Sequence, residues 1–72
     1  MTINERISQR LKQMGKRQFD LAIAINVPVS TLNGWLRLGR DVPAHLIIPI
    51  AEFLGMPVNE LLGWEDPKQR KG

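Results

Sequence analysis

The chain has 72 residues, no cysteine, a single histidine, 43% hydrophobic and 24% charged residues, and a net charge of +3. That length gives one domain near the lower limit for folding unaided, and the hydrophobic fraction argues for a packed core over a disordered tail. With His45 alone and no cysteine, a disulfide framework and the usual Cys/His zinc sites are excluded; no apolar run nears the roughly 20 residues of a membrane span, and MTINERISQR has no apolar signal core.

The expected location is therefore cytoplasmic, with no membrane, metal or cofactor involved, and packing alone must hold the fold. Ile3, Ile7, Leu11 and Met14 recur at helical spacing with charged residues between them, which predicts an amphipathic first helix. Thr2 or Asn4 can cap its start, Glu5 suits the positive end of the helix dipole, and Gly15 ends it. A second helix is predicted from about Gln18 to Ile25, with Leu21, Ala22 and Ile25 on one face. Asn26 closes it, because asparagine tolerates the left-handed conformation.

Pro28 presets φ for a third helix from about Val29 to Leu38, whose inner side carries Leu32 and Trp35 and whose stop is Gly39. After the loop from Gly39 to Val42, Pro43 leads into a fourth helix with Leu46, Ile47, Ile50, Ala51 and Leu54 at helical spacing, ending at Gly55. Pro49 removes one backbone donor, so that helix either starts near Leu46 or is kinked. Pro57 opens a short last helix holding Val58, Leu61 and Leu62 and ending at Gly63. The expected class is all-α, with one domain over residues 1–64 and a polar tail or linker over residues 65–72.

Charge is unevenly distributed. Residues 1–40 carry seven Lys and Arg against two Asp and Glu, whereas residues 41–72 carry three against five. A polyanion would therefore meet the first half. Within it, QFDLAIAINVPVSTLNGWL (Gln18–Leu36) has what two helices crossing steeply through a short turn require. Ala22 is small enough for the crossing, Asn26 makes the turn, and Leu21, Ile25, Val27, Leu32 and Trp35 form the inward set.

This stretch resembles the helix-turn-helix of the Xre/Cro, lambda-repressor-like family, especially the N-terminal DNA-binding domains of phage repressors. The resemblance continues through STLNGWL, GRDVPA, IAEFLGM and NELLGW, and so covers about residues 3 to 64. Asn26 stands where the family usually has glycine, and Pro28 and Pro57 replace small capping residues. The fold implied is a five-helix domain with the helix-turn-helix at the second and third helices. Arg17 joins the phosphate set because Arg17, Arg37 and Arg40 concentrate around one helix, and, carried over position by position, the resemblance puts Gln18 at the start of the second helix, near phosphates. It places Val29, Ser30, Asn33 and Gly34 against base edges, and Thr31, Arg37 and Arg40 against phosphates. Helical geometry agrees in part, since Val29, Ser30, Asn33 and Arg37 share the face opposite Leu32 and Trp35. Asn33 is the foremost reader, because its amide can pair with adenine in bidentate fashion, and Val29 can touch a thymine methyl.

The function expected is sequence-specific binding of double-stranded DNA by a transcriptional regulator, a repressor of phage or prophage type acting as a homodimer on DNA. The expected dimer surface is Val58, Leu61, Leu62 and Trp64. The alternative is a protein-interaction module with the same fold, such as an antitoxin or antirepressor. An enzyme is not expected, because a lone histidine and no carboxylate beside a candidate nucleophile leave little from which to build an active site.

Overall fold

The computed structural model describes residues 2–63, and all regular structure among them is helical: α1 (Ile3–Met14), α2 (Gln18–Ala24), α3 (Val29–Leu38), α4 (Ile47–Leu54) and α5 (Val58–Leu62). Trp64 and the tail expected over residues 65–72 lie outside the described residues. No helix among the described residues is long and apolar enough to cross a membrane.

Each boundary has a local cause. Of the two caps considered for α1, Thr2 is the one used: its hydroxyl accepts from the Glu5 N–H at 3.2 Å, and the Glu5 carboxylate accepts from the Thr2 N–H at 3.0 Å. This reciprocal capping box satisfies two otherwise unpaired donors. At α2, Asp20 does half of the same job, accepting from the Arg17 N–H at 2.9 Å. That helix closes through Asn26 at φ 58°, with Val27 N–H donating to Ala22 O at 3.0 Å and Asn26 N–H to Ile23 O at 3.2 Å. These two bonds are the Schellman pattern, with asparagine in the place usually taken by glycine.

Pro28 lies just before α3, and its carbonyl accepts from Thr31 and Leu32 at 3.0 and 3.1 Å, so the missing N–H leaves no gap in the ladder. The fourth helix resolves the Pro49 alternative. A single 3-10 turn (Ala44–Leu46) precedes α4, and Pro49 becomes its third residue, where an N–H would have no acceptor inside the helix. No kink is required.

All five helices contribute to one core: Ile7 and Leu11 from α1, Leu21 and Ala22 from α2, Leu32 and Trp35 from α3, Ile50, Ala51 and Leu54 from α4, and Leu61 from α5, with Ile25 at the α2 end. Burying each of its large aliphatic side chains contributes about 1.5–3 kcal/mol, most of which offsets chain ordering. α1 packs on α3, α4 and α5, while α2 packs on α3 and α4, so α3 is held from behind by two helices. Arg10 adds a polar clasp, its Nε donating at 2.9 Å to Leu54 O at the end of α4.

Leu61 corrects an expectation. Assigned above to a dimer surface, it has no exposed area and is part of the chain's own core. Val58 and Leu62, from the same set, are half-buried, and Val58 packs against that core. Apolar spacing on a five-residue helix marks which side is buried but not whether the cover comes from the same chain.

Candidate nucleic-acid interface

The outward side of α3 is fixed by its inward side. Leu32 is fully buried and Trp35 is 9% exposed, and these anchors turn Val29, Ser30, Thr31 and Arg37 outward, where all four are exposed. Val29 stands out because 42% of a β-branched apolar side chain is left to solvent at the first residue of the helix. Asn33 and Gly34 are half-buried along the flank of this surface.

Gly34 has no structural reason within the chain. A Cβ built there would meet nothing within 4 Å, and its φ is not in the left-handed region. Glycine inside a helix destabilises it by roughly 0.5–1 kcal/mol relative to alanine. The space above the Gly34 backbone is therefore open to another molecule.

Two residues of the expected set are joined directly. Asn33 Nδ2 donates to Gln18 Oε1 at 3.1 Å, linking the middle of α3 to the first residue of α2. Asn33 Nδ2 carries two hydrogens, and Gln18 takes one. The second hydrogen and Oδ1 remain, as do the two donors on Gln18 Nε2. The bond favours one orientation of the Asn33 amide over its flipped form.

The cationic groups flank this surface. Arg17 is exposed immediately before α2, Arg37 is exposed in the last turn of α3, and Arg40 is exposed in the loop that follows Gly39. Beside Gln18, an open cleft of about 580 Å³ between α1 and Leu36 is lined in part by Lys12 and Lys16. Glu5 lines the same cleft, so Lys12 and Lys16 leave it with a small positive excess. His45 is exposed in the 3-10 turn, and no group of three or more His, Cys, Asp or Glu that could hold a metal occurs among the described residues.

No family model matches the chain, and no curated protein matches it.

Sequence reasoning missed two features. Phe19 and Ile23, four apart on α2, are 58% and 63% exposed, as are Leu38 and Ile48 at 69% and 60%. The signal for the first pair was present: the helix already had its inward set in Leu21, Ala22 and Ile25, so apolar residues at other angles had to face out. The second is Asn4, 7% exposed, whose Nδ2 donates at 3.1 Å to Arg40 O. No local pattern announces a bond across that separation.

Proposed function

We propose that this protein is a sequence-specific double-stranded DNA-binding regulator of the Xre/Cro, lambda-repressor-like kind, a repressor by occlusion in which α2 and α3 form the helix-turn-helix. The observation that carries the reading is the division of α3 into a buried side, Leu32 and Trp35, and an exposed side, Val29, Ser30, Thr31 and Arg37, with the Gln18–Asn33 pair at its flank. A helix about 10–12 Å across fits a major groove about 12 Å wide. In that groove Asn33 Oδ1 accepts from adenine N6 while its free Nδ2 hydrogen meets N7, and Val29 packs on a thymine methyl. Gln18 keeps its Nε2 donors for a phosphate oxygen, and Arg17, Thr31, Arg37 and Arg40 meet neighbouring phosphates.

The Gln18–Asn33 bond favours this role because a preoriented amide loses less rotamer freedom on binding. One helix reads too few base pairs to find a site in a genome, so two copies bind a near-palindromic site with their α3 helices about one turn of DNA apart. The proposed chemistry is binding alone, with neither catalysis nor a cofactor.

A second reading, a protein-interaction module such as an antitoxin or antirepressor, is favoured by the exposed apolar pair Phe19 and Ile23. Selection of bound duplexes from a random pool separates the two. The regulator reading expects one enriched motif, and in Asn33→Ala the loss of discrimination at one base pair, costing about 1–3 kcal/mol. An unchanged motif in that variant removes Asn33 as a reader. A pool with no enriched motif overturns the regulator.

A further inference from the structure

We infer that Asn4 is a positioning residue for the phosphate-contacting loop, an inference that rests on the DNA-binding reading. Asn4 is in the first turn of α1 and is 7% exposed, the one buried polar side chain among the described residues. Its Nδ2 donates at 3.1 Å to the main-chain oxygen of Arg40, 36 residues away. Its Oδ1 is buried with no hydrogen-bond partner among the described residues. An unmet buried acceptor is destabilising, and an apolar side chain of similar size would avoid it. The donor to the Arg40 main chain is what an amide supplies here and an apolar side chain cannot.

The segment that receives this bond has little else to order it. Arg40, Asp41 and Val42 lie between α3 and the 3-10 turn in no regular structure, and among the described residues Asn4 makes the one hydrogen bond to their main chain. The bond fixes the peptide from which the Arg40 side chain projects into solvent, while α1, itself packed on α3, supplies the rigid support. Arg40 is thereby held at a constant place relative to the outer side of α3. A guanidinium so placed meets a phosphate without first ordering its backbone. Asn4 does this without touching DNA.

The test compares wild type with Asn4→Leu, Asn4→Ala, Arg40→Ala and the double variant Asn4→Leu/Arg40→Ala, all confirmed helical by circular dichroism at the assay temperature. The affinity for one duplex is measured over a range of salt. Loss of one phosphate contact lowers the slope of log affinity against log salt by about 0.9. The expected result is that the Asn4 variants and Arg40→Ala each show that reduction, that the double variant shows no further one, and that sequence preference is unchanged throughout. A folded Asn4→Leu or Asn4→Ala protein with the wild-type slope overturns the inference while leaving DNA binding intact, because a role in folding alone moves the melting temperature and not the slope. Additive reductions in the double variant also overturn it. A wild-type chain that binds no duplex overturns both the inference and the reading beneath it.

Discussion

Substituting Gly34 by alanine separates stability from recognition, because the two should move in opposite directions. Gly34 lies inside α3 with ordinary helical φ, and a Cβ there meets nothing within 4 Å. The new methyl creates no clash in the free protein and removes the conformational freedom that glycine gives the unfolded chain, a gain of about 0.5–1 kcal/mol. For a domain of this size 1 kcal/mol moves the melting temperature by about 4–8 °C, so a rise of roughly 2–8 °C is expected by calorimetry or thermal circular dichroism. If α3 enters a major groove as proposed, the same methyl occupies space at the groove edge, so affinity for the selected duplex should fall, as measured by fluorescence anisotropy. A lower melting temperature would show that the space above Gly34 is not open. A more stable variant that binds as tightly as wild type would show that nothing approaches the helix there.

Arg37→Ala should weaken binding to all duplexes about equally and reduce the salt slope by about 0.9 in titrations at several salt concentrations; a changed sequence preference would instead place Arg37 at a base edge. Leu61→Ala should lower the denaturant midpoint, with a loss of roughly 2–5 kcal/mol, because the side chain is fully buried; a near-neutral effect would contradict its place in the core. Glu5 accepts from the Thr2 main-chain N–H and then from the Thr2 hydroxyl, and these bonds hold its pKa below the ordinary value. A depressed carboxylate stabilises the fold above its unfolded pKa, and that contribution fades as pH falls through the lower folded value. Thermal stability should thus fall on the acid side of the ordinary Glu pKa, about 4.3, and Glu5→Gln should flatten that fall; an identical acid limb in the variant would refute the cap.

The helices were legible in the sequence because their ends are chemically marked. Pro28 and Gly39 bracket α3, and the structure gives Val29–Leu38, while Asn26 takes the left-handed conformation that its residue type suggested. The outward surface of α3 was legible in part: once Leu32 and Trp35 are inside, helical geometry turns Val29, Ser30 and Arg37 out, whereas Asn33, read onto the same face, is half-buried at its flank beside Gln18. Tertiary facts were not. Leu61 read as a surface anchor because periodicity names an apolar side without naming its cover, and α1 and α4 of the same chain, the helices on which α5 packs, supply it. The Gln18–Asn33 and Asn4–Arg40 bonds join positions whose meeting depends on how α2 crosses α3 and how α1 lies against the loop. Pro49 was ambiguous because one residue in the helix start decides whether proline is tolerated or disruptive, and the 3-10 turn that settles this has no apolar period of its own.

The central claim is that the outer side of α3 meets DNA, and the most direct measurement is the change in amide and side-chain resonances of the isotope-labelled chain on titration with the selected duplex. The account predicts the largest shifts at Gln18, over Val29–Arg37 and at Arg40, with the Asn33 side-chain amide among them and α5 little changed. Shifts concentrated on Phe19 and Ile23 or on α5, with the Val29–Arg37 segment and the Asn33 amide unmoved, would contradict it.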